Sequence, residues 1–138
     1  MISKENIFVD TSAWVALADK NDVHYKKASS VYPSLLKTYK SLVTNNLVIA
    51  ETYILILKEL GHKAALNFLG GVRSSPRISK IYSNEETEAE AEKILTKYED
   101  QDFSYTDTVS FAIMKRFKIK KAFCFDKHFK IAGFETIP

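Results

Sequence analysis

At 138 residues, 46% hydrophobic and 27% charged, the chain has the size and composition of one globular domain with a core of its own. The single cysteine, Cys124, excludes an internal disulfide and favours a reducing cytoplasm, and no apolar run reaches the roughly 18 residues of a membrane span. Twenty Lys and Arg against 17 Asp and Glu leave a net +3, which by itself names no partner.

Lys4, Glu5 and Asn6 break up the start, so no secretion signal is expected. Asn6 to Asp10 reads as a short buried strand, β-branched and aromatic, ending at Asp10-Thr11-Ser12. Ser12 is the expected N-cap of a helix through Ala18. A second helix should begin near His24 and run past Tyr32, with Pro33 kinking it or opening a new turn. Leu42-Val43-Thr44 is a candidate strand before a helix from about Asn46 to Leu60, stopped by Gly61. His62 to Val72 is another candidate helix, weakened at its end by Gly70-Gly71, and Arg77 to Tyr82 alternates as a strand.

Ser83, with Glu86 three residues on, fits a capping box ahead of a helix through Tyr98. Glu85, Glu86, Glu88, Glu90 and Glu92 fall in its first half and read as a solvated face favoured by the helix dipole. Thr106 is the expected cap of a helix from Asp107 to about Phe117. The strand Ala122–Phe125 and an edge strand Phe134–Ile137 complete the pattern. Short apolar strands alternating with helices predict an α/β sandwich on a largely parallel sheet, without repeat or linker.

Four carboxylates stand against this pattern. Asp10 closes Ile7-Phe8-Val9, Asp126 closes Ala122-Phe123-Cys124-Phe125, Glu51 interrupts the apolar stretch from Leu47 to Leu57, and Asp107 opens the segment from Thr108 to Met114. Each has an ordinary explanation: a turn, a first-turn helix acid, the start of a loop, or a narrow polar route along Thr52, Tyr53 and Lys58. Together they point to a shared divalent cation, because burying an unpaired charge is expensive. Ligands of parallel sheets sit beyond the carboxyl ends of strands, where Asp10 and Asp126 lie. Mg²⁺ or Mn²⁺ suits oxygen donors, and since Mg²⁺ takes few carboxylates directly, some acids would act through water. Such a site suits phosphodiester hydrolysis.

Zinc chemistry is disfavoured, since one cysteine and the scattered His24, His62 and His128 give no ligand spacing. The histidines read as exposed or half-buried, with His128 noted for standing two residues from Asp126. Cys124, between Phe123 and Phe125, reads as a core residue. Without the four acids, 13 remain against 20 bases, so the rest of the surface could attract a polyanion. Lys115, Arg116, Lys118, Lys120 and Lys121, with Lys127 and Lys130, are candidates for phosphate contact or merely cations complementing a helix end.

Four strings resemble the PIN-domain ribonucleases, above all the VapC-type toxins of VapBC toxin–antitoxin modules. They are Phe8-Val9-Asp10-Thr11-Ser12, Asn46-Leu47-Val48-Ile49-Ala50-Glu51-Thr52, Asp102-Phe103-Ser104-Tyr105-Thr106-Asp107 and Phe125-Asp126-Lys127-His128-Phe129. None is specific alone; their order and spacing along nearly the whole chain are. The resemblance implies a three-layer α/β PIN fold spanning residues 1–138 as one nuclease domain. It implies a Mg²⁺- or Mn²⁺-dependent endoribonuclease whose acidic set is Asp10, Glu51, Asp107 and Asp126. Asp10 and Asp107 would be the direct ligands and Ser12 a supporting hydroxyl. It further implies a homodimer, an RNA substrate and a small antitoxin occluding the site. Thr108 departs mildly, a smaller residue being usual after the third acid. The same acids would serve RNA processing without a toxin role. A receiver domain would want paired acids after the first strand, and a catalytically inactive RNA-binding or interaction module has no need to crowd carboxylates.

Overall fold

The computed structural model describes residues 5–138; the first four, which bear on the expected lack of a leader, lie outside the described residues. In chain order the elements are β1 (Ile7–Val9), α1 (Thr11–Ala18), α2 (Tyr25–Thr38), β2 (Leu42–Asn45), α3 (Asn46–Leu60) and α4 (His62–Ser74). There follow β3 (Ile78–Ile81), α5 (Glu85–Lys97), α6 (Tyr105–Arg116), β4 (Lys121–Phe123), α7 (His128–Ile131) and β5 (Glu135–Ile137). The five strands form one parallel sheet in the order β3-β2-β1-β4-β5. No described helix is long and apolar enough to cross a membrane.

β1 and β2 are buried throughout, as central strands covered by helices on both faces must be. Phe8 pairs with Val43 on one side and Ala122 on the other, and Val9 pairs with Phe123. Phe8, Phe111, Phe123 and Phe129 are the largest side chains lost wholly from solvent. Phe111 meets Phe129 edge-on with centroids 4.9 Å apart. α6 is buried without interruption from Asp107 to Met114, so it is an internal element.

Local boundaries differ from the sequence expectation mainly at caps. Asp10, not Ser12, caps α1; Asn84, not Ser83, caps α5 and boxes with Thr87; Ser104, not Thr106, caps α6 and boxes with Asp107. Each segment offers several short polar residues, and packing selects the one whose backbone can stay extended. Pro33 lies inside α2, which runs on to Thr38 because Ala28 and Leu35 anchor it on either side. Gly70 and Gly71 lie within α4. Gly61, at φ 93°, ends α3 as expected and admits the sharp turn into α4.

From β1 the chain builds outward through β2 to β3, then returns to lay β4 on the other side of β1. The strand order therefore reverses between β1 and β4, and their carboxyl ends open a crevice there. Asp10 and Asp126 follow those two strands.

Candidate active site

Asp10 is held from both sides. Its backbone N–H donates to the Phe123 carbonyl (3.1 Å), continuing the β1–β4 pairing past the strand end. Its carboxylate caps α1, accepting the Ser12 N–H (3.4 Å) and the Ser12 hydroxyl (3.0 Å). The same hydroxyl accepts the Phe125 N–H at 3.0 Å, tying the turn after β1 to the turn after β4. Only 3% of Asp10 is exposed.

Asp107 is the third residue of α6. Its N–H donates to Ser104 Oγ (3.0 Å) while its Oδ2 accepts the Ser104 N–H (3.3 Å). That oxygen also accepts the Nδ1–H of His128 at 2.8 Å. His128 opens α7, a four-residue helix that the sequence reading does not contain, and its ring rests edge-on against Phe103. The His128 backbone N–H donates to Asp126 Oδ1 (3.0 Å). One residue thus positions two carboxylates. Ligand atoms of Asp107, Asp126 and His128 lie within 4.8 Å of one another, and Asp10 is near enough to feel the charges of Asp126 and Asp107.

The electrostatics follow from this crowding. Burial, first, and the nearby Asp126 and Asp107 carboxyls push Asp10 well above the usual carboxylate range. Asp107 is also raised, chiefly by burial and further by Asp126, although its His128 and Ser104 hydrogen bonds pull the other way. A divalent cation among these oxygens would relieve both effects, and an oxygen-dominated donor set suits a hard ion. The residues present fit such an ion. Cys124 is buried with its thiol pushed far up, by burial and then by the three aspartates. It is an inert core residue, as its flanking phenylalanines suggest.

Glu51 stands apart. It is exposed on α3, whose buried face is Val48, Ile49, Thr52 and Ile56, and it makes no hydrogen bond or ion pair among the described residues. The expectation that it is set in apolar surroundings does not hold, because the fold leaves the neighbouring Ile54 and Leu55 exposed too. His128, conversely, is a site residue that sequence reasoning notes without using; its signal is the two-residue spacing from Asp126. Of the lysine cluster, Lys115 lies about 12 Å along the α6 axis from Asp107, and Lys120 and Lys121 lie at the opposite end of the sheet from the acids. Arg116 pairs with Glu86, and Lys121 lies 4.0 Å from Glu135. These residues gain no support as contacts to a phosphate over the acids.

An all-parallel sheet with aspartates from three segments meeting at its strand-order reversal defines an α/β domain with an acidic site. The PIN-domain family model matches residues 7–135, and the chain belongs to that family. It is 32% identical over 131 residues, 95% of this chain and 97% of the relative, to VapC20 of Mycobacterium tuberculosis, a 23S rRNA-specific endonuclease. The crystal structure of VapC20, described as a sarcin–ricin loop cleaving toxin, superposes with a TM-score of 0.86 at 31% identity, covering 93% of this chain and 95% of that one. VapBC2 of Rickettsia felis, bound to a promoter DNA fragment, shares the fold at a TM-score of 0.73 and 13% identity, covering 96% of this chain and 97% of that one.

Proposed function

We infer that this chain is a metal-dependent endoribonuclease and the toxin of a toxin–antitoxin pair. The observation that carries the reading is the convergence of buried Asp10 and Asp107 with half-buried Asp126 at the switch point of a PIN fold, where burial and crowding raise the pKa of the first two. Likeness to VapC20 over nearly the whole of both chains favours structured ribosomal RNA as the substrate class.

Asp10, Asp107 and Asp126 would hold the ion, Mg²⁺ or Mn²⁺ by their oxygen chemistry, with Glu51 contributing from the exposed side, through water. When bound, such an ion supplies an activated water and neutralises charge on the phosphodiester. The chain's own residues do the positioning. Ser12 orients the Asp10 carboxylate, Ser104 and the His128 ring fix Asp107, and the His128 N–H fixes Asp126. Carboxylates restrained this way keep their geometry when a polyanion arrives. With a ribosomal target and one unpaired cysteine, the cytoplasm is the proposed compartment. Ile54, Leu55, Leu60 and Leu66 stay exposed on α3 and α4, an apolar surface of the kind a second copy or a small antitoxin covers.

The test is incubation of the purified protein with total RNA and with a sarcin–ricin hairpin, with and without Mg²⁺, followed by mapping of the cut ends. Metal-dependent cleavage at discrete positions is expected. No cleavage of either RNA would remove the assignment.

A further inference from the structure

His24 is exposed at the N-cap of α2, yet its side chain makes no capping hydrogen bond. Its ring lies flat on the Phe125 ring instead, with centroids 4.4 Å apart and planes 13° from parallel. The other face-to-face pair among the described residues, Phe8 with Phe129, is sealed in the core. His24 sits at the surface, and among the described residues no second ring covers the imidazole.

Both partners are fixed in place. Phe125 immediately precedes Asp126, its N–H is held by Ser12 Oγ (3.0 Å), and its ring packs edge-on against Phe123. Through Ser12 it shares a hydrogen-bond chain with Asp10. His24 closes a loop locked by two Asx-type bonds, Asn21 N–H to Asp19 Oδ1 (2.9 Å) and His24 N–H to Asp22 Oδ1 (2.8 Å). The Ala28 N–H to His24 carbonyl bond (2.9 Å) begins α2. An ordered aromatic plane therefore stands on Phe125, the residue before Asp126, with one face on protein and the ring exposed.

Such a plane suits a nucleobase. Every base offers a π face to an aromatic side chain, histidine included, and the base must be unpaired and splayed out to do so. A shelf already ordered by Phe125 and the loop loses little entropy on receiving it. We propose that His24, backed by Phe125, is a stacking shelf for one unpaired RNA base beside the phosphate held over the acids. The proposal rests on the RNA-cleaving reading and adds to it a positioning residue that selects single-stranded loops over duplex. If His24 only shields Phe125 from water, an aliphatic side chain of similar reach would serve equally well.

The experiment uses a sarcin–ricin hairpin carrying 2-aminopurine at single loop positions. Cleavage kinetics in Mg²⁺ are compared for wild type, His24→Ala, His24→Leu and His24→Tyr, and binding is read as fluorescence quenching with each change made in the Asp107→Asn background. His24→Ala and His24→Leu should each raise KM about tenfold with kcat unchanged, the size expected for one lost base stack. His24→Tyr should restore KM. Quenching at one loop position should survive with His24 or Tyr and vanish with Ala or Leu. A His24→Leu protein that matches wild type, or a KM change with no position-specific quenching, overturns the shelf. If wild type cuts no RNA, the nuclease reading falls, while the quenching titration still decides the shelf by the same criterion.

Discussion

Two groups of carboxylates in this molecule share their chemistry and differ in circumstance. The five glutamates from Glu85 to Glu92 lie in the first half of α5, where the helix dipole favours them. They are exposed or half-exposed and have surface partners: Glu86 pairs with Arg116, and the Tyr105 hydroxyl donates to Glu88 at 3.3 Å. Asp10, Asp107 and Asp126 come from three separate segments and meet where the strand order reverses. Burial and the neighbouring carboxylates act together on Asp10 and Asp107. Density along the chain thus marks a solvated face, whereas convergence from distant segments marks chemistry. The cost of desolvating a charge makes the second arrangement unfavourable without a cation.

This contrast can be broken by mutation, beginning with the largest effect. Asp10→Asn or Asp107→Asn should abolish metal-dependent RNA cleavage, a loss of more than about a hundredfold, since removal of an outer-shell partner alone costs about 10–100-fold. His128→Ala should fall within that outer-shell range, because it frees the Asp107 carboxylate and leaves the acids in place. Initial rates across a Mg²⁺ titration separate a weakened metal affinity from a lost maximal rate. Glu51→Gln should cost less, about tenfold at most, as fits an exposed carboxylate acting through water. An effect as large as that of Asp10→Asn would mean that α3 brings Glu51 into direct contact when RNA binds. Glu85→Gln should leave cleavage unchanged, and a loss there would erase the distinction between the two groups.

Stability sharpens the same comparison. Asp10 and Asp107 titrate higher in the folded protein than in the unfolded chain, so the fold retains protons that the unfolded chain has released. Without a divalent ion, their contribution is therefore most favourable at low pH and is lost as pH rises from about 4 through their raised values. At neutral pH, metal-free Asp10→Asn should melt a few degrees above wild type, and the gap should close toward acid. Mn²⁺ should stabilise the wild type, more so at higher pH where protons compete less, by about 2.7 kcal/mol at a hundredfold excess over Kd, with a matching rise in melting temperature. Calorimetry across the pH range checks both; a wild type insensitive to millimolar Mn²⁺ would count against the ion.

Most of the architecture was legible in the sequence because the buried strands are short apolar runs and the longer helices are set off by caps, glycines and apolar spacing. β1, β2 and α3 lie close to where those patterns put them. Caps were less legible, since Asp10 and Ser12, or Ser104 and Thr106, are chemically interchangeable until the backbone chooses. α7 has four residues, too few for any period to show. Glu51 is exposed because α3 buries only Val48, Ile49, Thr52 and Ile56, and an apolar stretch does not show by itself which of its residues the fold covers. The spacing from Asp126 singles out His128 but not its role, which lies in Asp107, 21 residues earlier, and in a ring packed against Phe103.

The order of residues alone determined that the chain alternates strand and helix, and that single acids terminate the first and fourth strands, since local periodicity and charge placement require no partner. Which acids share a site, which serine or histidine orients them, and which lysines lie far away were decided only by the crossover from β3 back to β4. Proximity between distant segments is a property of topology, and the repulsion that makes these carboxylates reactive toward a cation exists only after that crossover has brought them together.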